Sequence, residues 1–538
     1  MSIASLVADL SRPEAYDHQV AVIDVIQTHA SVVFLAGDQV YKVKKPRDLG
    51  FLDYSTLKRR AEHCHAEAEL NRRLAADVYL GVVPLTMSNG RLRIGGSDAA
   101  VEYAVHMRRL PESSTLRSRW NRGDLSFAMV REVARTIADF HRHRMPDRAA
   151  ATWSSSAEVQ RNHRENFAAL RDHLGEAITA SVYTRLERRA SELLRTCAPM
   201  IGARAHNGIA CDGHGDLRTD HVYIHDHAPV GRRIDIVDCI EFNARYRCGD
   251  PIADIAFLAV DLSAIGARVL ADALTETYVE ASGDTHGSDL LPLYRGYRAT
   301  IRAKVEAIRS KLAEFSDTEK ARARARARAW SLVALGELEP AEQRPGLVLI
   351  AGLPGSGKST VAAGLAQRCG FRWIRADTVR KGLAGLGATT PAAATLDAGI
   401  YASAWSDRTY DACLRQARET FDEGGRAVVD ATFVTQARRQ PFLDLAVEMG
   451  VPCAVLVCTA NESVTRQRLI ARRSDASDAG FEVYRDLRAR WEPLPEPRRY
   501  VHGEVRTDDS DHTATAQVDV ILAAAGLSPG SSSICVQR

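Results

Sequence analysis

Apolar and polar positions follow two different patterns along the chain. In the first half, short alternating runs precede long amphipathic stretches. SVVFLAGDQVYKVKKP (31–46) alternates on both sides of Gly37 and Asp38. This predicts a β-hairpin with Lys42 and Lys44 on one face of its second strand. A helix is expected over about 55–74. Leu57, Ala61, Cys64 and Ala68 form its apolar stripe, Glu62, His65, Glu69 and Arg72 its polar face, and Glu67 lies at the border. VEYAVHMRRLP (101–111) reads as a strand leading to a hinge between two lobes. Residues 123–144, much of 155–196 and 293–315 carry the helical period. RRIDIVDCIEF (232–242) reads as a strand with Ile234, Ile236 and Asp238 on one face.

In the second half, the apolar runs are continuous and each leads into a helical pattern. GLVLI (346–350), VVDATF (428–433) and VPCAVLVCTA (451–460) are of this kind. They predict buried strands of a parallel sheet. ELEPAEQRPG (337–346) is the best linker. The expected division is therefore a domain over 1–336, a linker over 337–346, a domain over 347–526 and a disordered tail over 527–538.

Composition adds limits. The 538 residues are 45% hydrophobic and 26% charged with a net charge of +3, as expected of a soluble globular protein. The start of the chain lacks a basic region followed by an apolar core, and no apolar run approaches membrane-spanning length. A cytoplasmic protein without membrane partners is expected. The ten cysteines include no C-x-x-C pair, so free thiols are expected and a zinc site is not. The arginines at 322, 324, 326 and 328 alternate with alanine in a helix-forming stretch, and a solvated helix face is the favoured reading.

The sharpest chemical signal is AGLPGSGKST (351–360). Gly352, Gly357, Lys358 and Ser359 hold the G-x-x-x-x-G-K-[ST] spacing between a strand and a helix. The loop Gly352, Leu353, Pro354, Gly355, Ser356, Gly357, continued by Lys358, Ser359 and Thr360, is expected to wrap a triphosphate with inward backbone N–H groups. Lys358 supplies charge to the β- and γ-phosphates, and the Ser359 hydroxyl holds Mg²⁺. A tight glycine turn would explain the glycines but not Lys358 beside Ser359. Asp430, where the apolar strand in VVDATF ends, fits the second carboxylate of such a site. Arg468 and Arg472, four apart on one helix face, are candidates for a lid over the triphosphate.

A second phosphate-handling site is expected at GHGDLRTDHVYI (213–224). A phosphotransferase needs one carboxylate to accept the proton of the acceptor hydroxyl and another to hold the metal. Asp216 suits the first task and Asp238 the second. In GDPIADIAFLAVDL (249–262), Asp250 and Asp254 lie at a helix start, where capping is the favoured role.

With these motifs in place, residues 1 to about 335 resemble the aminoglycoside phosphotransferase-like kinases, which share the protein-kinase fold. Residues from about 345 resemble small P-loop kinases of the zeta-toxin, gluconate kinase and polynucleotide kinase type. Together they resemble the bacterial bifunctional aminoglycoside phosphotransferase/ATP-binding proteins. The resemblance implies an α+β protein-kinase-like domain joined to an α/β P-loop domain with a parallel sheet. It implies Asp216 as catalytic base, Asp238 as Mg²⁺ ligand, Lys42 (or Lys44) as phosphate contact and Glu67 as its helix partner. It also implies that Asp377 accepts the acceptor's proton in the second domain, with Arg380 steadying an anionic substrate; a helix N-cap is the other reading of Asp377. One position departs: where this class places Asn as a second metal ligand, five residues after the catalytic Asp, this chain has His221. No glycine-rich loop stands in the hairpin.

The expected function is transfer of the γ-phosphoryl group from ATP, with Mg²⁺, to a hydroxyl of a small molecule in each domain. Two other readings stay open at this stage: an ATP-binding regulatory protein whose first domain is a pseudokinase, and a nucleic-acid end kinase. The near-neutral charge and the lack of aromatic-basic interleaving argue against the last.

Overall fold

The computed structural model describes residues 2–528 except 29, 51, 145–146, 227–232, 389, 391–398, 472–478, 497–498 and 509–510. Arg472 and most of the expected tail lie outside the described residues. The chain packs as two compact units. One comprises 1–162, 196–262 and 269–294, the other 163–195, 263–268 and 295–538. The helix Asp317–Leu338, which runs into the first two residues of the expected linker, packs within the second unit, where Val333 lies against Gly450.

The first unit begins with helix α1 (Ile3–Leu10) and a six-stranded antiparallel sheet. Its strands are β1 (Ile23–Gln27), β2 (Ser31–Ala36), β3 (Gln39–Lys44), β4 (Tyr79–Ser88), β5 (Arg91–Ile94) and β6 (Glu102–Arg108), in the order β1-β2-β3-β6-β4-β5. Helix α2 (Leu57–Asn71) crosses one face. The alternation of β3 divides its side chains. Tyr41 and Val43 join Leu6, Leu10 and Phe34 in the core on the α1 side. Lys42 and Lys44 therefore point to the α2 side, where Cys64 and Ala68 pack on Val105 and Tyr79.

The rest of this unit is mainly helical, with two short antiparallel pairs. Val222–Ile224 pairs with Ile234–Ile236, and Cys211–Asp212 with Cys248–Gly249. The helix Pro251–Ala264 is buried on nearly every side. It nevertheless carries two carboxylates, Asp254 and Asp261, seven residues apart and so on one face.

The second unit contains a five-stranded parallel sheet in the order Arg372–Arg375, Arg426–Asp430, Gly346–Ala351, Cys453–Thr459, Val501–Arg506. The two strands Gly346–Ala351 and Arg426–Asp430 are buried at every position, which is why they read as unbroken apolar runs. The expected fold classes are both observed. Among the described residues every cysteine is a free thiol, and no helix is long and apolar enough to cross a membrane.

Asp212 ties Arg73, just after α2, to Arg247 at the end of the short helix Ala244–Arg247. Arg73 Nη1 donates to its carboxylate at 3.0 Å, and Arg247 Nε and Nη2 donate at 2.5 and 3.1 Å. Burial opposes ionisation of Asp212, but the two arginines outweigh it and hold the carboxyl below its ordinary range. A lowered carboxyl pKa stabilises the fold above the unfolded value, about 3.9, and that contribution is lost as pH falls through the folded value. Asp212→Asn should therefore lower the thermal midpoint at pH 7. The gap from wild type should narrow below about pH 4, as scanning calorimetry across pH would measure. A gap constant with pH would contradict this.

Candidate functional site

Two clusters carry the expected chemistry, one in each unit. In the first, the Glu67 carboxylate is fully buried. Its Oε1 accepts from Lys42 Nζ at 2.8 Å and its Oε2 from Lys44 Nζ at 2.7 Å. Glu67 was expected at the border of the α2 stripe; it lies inside, because two lysines neutralise it there. Lys42 Nζ also donates to Asp238 Oδ1 at 2.6 Å. Lys44 Nζ donates to Glu241, and so does the Tyr54 hydroxyl. Burial works against the charge on both lysines, but the carboxylates prevail and their pKa values rise well above the ordinary range. The two lysines differ in access: Lys44 is 1% exposed and Lys42 17%. Only Lys42 has an open side.

Asp238 does not extend a strand. The strand stops at Ile236, and Asp238 takes φ +65°, the left-handed region that costs a non-glycine residue about 1–3 kcal/mol. That turn is held in place. Asp238 N donates to the Tyr79 hydroxyl at 3.1 Å and Cys239 N to Asn71 Oδ1 at 2.8 Å. The turn aims the Asp238 carboxylate at Lys42, where burial is outweighed by Lys42 and His221, and its pKa falls well below the carboxylate range.

The H-G-D loop is clamped by the buried helix Pro251–Ala264. Asp254 accepts the backbone N–H of His214 at 2.6 Å and of Gly215 at 2.8 Å. Asp261 accepts the Thr219 N–H at 2.8 Å and its hydroxyl at 2.5 Å. Gly215 has φ +84°, and a Cβ there would sit 2.8 Å from Tyr246 O, so no larger residue fits. His214 Nε2 lies 3.1 Å from Val237 O, and its Nδ1 accepts the Asp216 N–H at 3.2 Å. Burial lowers its pKa to about 4, so the ring is a neutral brace. Asp216, His221 and Asp238 form a group whose ligand atoms all lie within 4.8 Å of one another, with Arg218 Nη1 3.6 Å from Asp216 Oδ2. Asp216 and Asp238 offer oxygens suited to a divalent cation, whereas His221 offers nitrogen, which Mg²⁺ disfavours.

In the second cluster, the loop 352–357 leads into the helix Lys358–Cys369. Gly357 is its N-cap, with φ +81°, and a Cβ there would meet Thr507 Oγ1 at 2.8 Å. The helix start therefore presents backbone N–H groups without a capping side chain, the arrangement that suits an anion. Lys358 Nζ donates to Leu353 O at 2.9 Å, folded back over its own loop. Ser359 Oγ donates to Asp430 Oδ2 at 2.7 Å, so a hydroxyl and a carboxylate oxygen stand together and fit Mg²⁺. Burial raises the Asp430 pKa against the pull of Lys358 and Ser359.

Asp377 lies in the first turn of the helix Ala376–Leu383, whose N-cap is Arg375. Arg380 turns elsewhere. Its Nη1 donates to Ile400 O at 3.0 Å and Ser406 Oγ at 3.1 Å, and it lies over the Tyr401 ring. The arginine near the carboxylate is Arg375, with Nε 4.0 Å from Asp430 Oδ2. Arg468 lies against the phosphate loop, donating to Thr507 O at 2.6 Å and Thr507 Oγ1 at 2.9 Å. Thr507 in turn donates to Ser356 O at 2.8 Å. Leu353, Pro354, Gly355, Ser356 and Thr360 occupy the loop and the first helical turn.

Sequence reasoning missed Glu241, Arg218, Arg375, Asp261 and Thr507. Two carried a usable signal. Glu241 is a lone charge within the apolar CIEF run, and Asp261 sits two turns after Asp254 in a helix otherwise apolar.

Comparisons with known proteins bear on each half of the chain. The family model "Phosphotransferase enzyme family" matches residues 36–299, and the model "AAA domain" matches 347–494. The uncharacterized proteins Rv2004c of Mycobacterium tuberculosis (strain ATCC 25618 / H37Rv) and Mb2027c of Mycobacterium bovis (strain ATCC BAA-935 / AF2122/97) are each 34% identical over 468 residues, 87% of this chain and 90% of theirs. Among solved structures, aminoglycoside 2'-phosphotransferase-IIIa in its GDP complex is 12% identical, covering 61% of this chain and 96% of its own, with a TM-score of 0.38. A gluconokinase from Sinorhizobium meliloti 1021 is 21% identical, covering 34% of this chain and 91% of its own, with a TM-score of 0.24. The chain belongs to the family of these two-domain proteins, in which an aminoglycoside phosphotransferase-like kinase domain precedes a P-loop kinase domain.

Proposed function

We propose that the protein is an ATP-dependent phosphotransferase with two nucleotide sites, each passing the γ-phosphoryl group to a hydroxyl of a small molecule. The observation that carries this reading is the pairing, in each unit, of a lysine with a carboxylate and a hydroxyl- or metal-binding group. In one unit these are Lys42, Asp238 and Asp216; in the other, Lys358, Asp430 and Ser359. The bond between the β-bridging oxygen and the γ-phosphorus breaks as the acceptor oxygen bonds to that phosphorus. The acceptor's proton passes to a carboxylate, and ADP leaves.

In the first domain, Asp216 orients the acceptor hydroxyl and takes its proton. Lys42 neutralises phosphate oxygens from its open side, while buried Lys44 holds Glu67 and Glu241 in place. In the second domain, the loop N–H groups and Lys358 hold the triphosphate, Arg468 braces the loop through Thr507, and Asp377 faces the acceptor. Ser359 and Asp430 would hold Mg²⁺, which supplies positive charge to the β- and γ-oxygens when bound with ATP. Catalysis is mainly positioning and charge neutralisation. The protein acts away from membranes, in the cytoplasm, and its net charge of +3 argues against a nucleic-acid acceptor.

The two lysines separate the roles. Lys42→Ala should raise the KM for ATP in the first domain's reaction and lower the thermal midpoint less than Lys44→Ala does, because Glu67 keeps Lys44 and the Asp238 side chain is 43% exposed. Lys44→Ala leaves buried Glu67 and Glu241 short of a cation and should cost about 3–5 kcal/mol of stability in chemical denaturation. Equal stability losses in the two variants would contradict the assignment.

Activity is tested by ADP release with ATP and Mg²⁺ over a panel of sugars, amino sugars, nucleosides and aminoglycosides. Asp216→Asn should abolish acceptor-stimulated release in the first domain while ATP binding persists, and Lys358→Ala should abolish it in the second. The proposal fails if both variants retain wild-type turnover with an accepted substrate.

A further inference from the structure

A cavity of about 810 Å³ opens beside the strand Arg372–Arg375, and none of its lining residues belongs to the phosphate loop. That strand is the edge of the parallel sheet. Among the described residues, the backbone groups on its outer side pair with no other strand. The helices Ala376–Leu383 and Ser403–Asp422 supply the walls. The volume is that of a small-molecule site.

The lining is positive. Arg372, Arg375 and Arg415 share it with a single carboxylate, Glu419. Glu419 does not cancel them. Its Oε2 lies 3.9 Å from Arg372 Nη1, and the two side chains are 64% and 49% exposed, so the pair is loose and contributes little. Trp373 also lines the cavity. Its indole Nε1–H is buried and, among the described residues, has no hydrogen-bond partner. A buried donor without an acceptor is costly, and a ligand oxygen in the cavity would relieve it. Guanidinium and indole N–H groups only donate, and oxyanions are the ligands that such a set selects.

Arg375 joins this cavity to the P-loop site. It pairs in register with Asp430, and its Nε lies 4.0 Å from Asp430 Oδ2. Its guanidinium lies over the Trp373 ring, 5.7 Å from the centroid. Asp430 in turn accepts from Ser359, and Asp377 stands close enough to help raise the Asp430 pKa. Arg380, the arginine expected to steady an anionic substrate, is instead engaged with Ile400 O and Ser406 Oγ. We propose that the cavity receives the anionic part of the second domain's acceptor, a hydroxy compound that carries a phosphate or carboxylate group. Arg375 stands where that group would adjoin the reacting end. A polycationic acceptor would meet like charge there. The inference rests on the phosphotransferase reading for the ligand's role as acceptor, but the anion site stands on the cavity alone.

The test reads anion binding rather than turnover, with inorganic phosphate and acetate as the probes. The nucleotide sites of the whole protein are first filled with a non-hydrolysable ATP analogue and Mg²⁺, so that an added anion does not report from the phosphate loop. The indole ¹H–¹⁵N signal of Trp373, assigned with Trp373→Phe, should then shift saturably. Arg375→Ala should weaken that binding about tenfold, as loss of a charge-assisted hydrogen bond implies. Arg415 is exposed, so Arg415→Ala keeps the fold and should weaken it about threefold. Tighter phosphate binding would mark the acceptor as phosphorylated, tighter acetate binding as a carboxylic acid. No saturable shift with either probe, or equal affinity in wild type and Arg415→Ala, would overturn the proposal. Anion binding at Trp373 in a protein whose second domain transfers no phosphoryl group would refute the phosphotransferase reading and leave the anion site standing. Transfer that is lost in Lys358→Ala, without anion binding at Trp373, would do the reverse.

Discussion

A carboxylate with no access to solvent must be neutralised where it stands, and Glu67 organises the first domain on that condition. Its two oxygens are divided between Lys42 and Lys44. The lysines in turn reach Asp238 and Glu241, about two hundred residues away in sequence. Strand β3, helix α2 and the segment around Asp238 are thereby joined by charge as well as by apolar packing. Removing one member leaves a buried charge uncompensated, which costs far more than the pair contributes relative to an apolar replacement. Such a network is a poor device for stability. Its value is positional, because it fixes where the one accessible lysine stands relative to the carboxylates it must work with.

The two domains solve the same electrostatic problem by different means. The P-loop relies on backbone N–H groups gathered at the start of one helix, so most of its anion-binding capacity is local in sequence. The first domain assembles its site from side chains on distant segments and needs separate supports for each. The helix Pro251–Ala264 provides one support: Asp254 and Asp261 fasten the two ends of the H-G-D loop by accepting its backbone N–H groups. A buried helix carrying two carboxylates would be unfavourable on its own. It is tolerated because the loop it holds has donors that would otherwise be unsatisfied.

This difference explains what could be read from the sequence. The phosphate loop, the parallel strands around it and Asp430 were legible because motif and burial are written in consecutive residues. The H-G-D loop and the β-hairpin lysines were legible as chemistry. The burial of Glu67 was not, since a glutamate on a helix is ordinarily solvated and only the two lysines make it otherwise. Nor was the turn at Asp238, because a left-handed aspartate leaves no trace in an alternating pattern. Glu241, Arg375 and Thr507 matter only through partners on other segments, and periodicity carries no information about those.

The arrangement around Lys42 bears on how the proposed reaction would begin. Lys42 is held by Asp238 as well as Glu67, so a phosphate that takes Lys42 competes with Asp238 for the same N–H donors. Releasing the Asp238 carboxylate would leave an unpaired anion close to buried Glu67 unless a cation arrives to meet it. A cation held by Asp238 would remove that penalty, and Lys42 would then be free to turn its charge to the nucleotide. Cation and nucleotide are therefore expected to bind cooperatively in the first domain, each reducing the cost of the other, and linkage requires the effect to be reciprocal. At the P-loop, Lys358 rests on the Leu353 carbonyl and its charge also pulls on Asp430, so a phosphate arriving there meets a similar exchange.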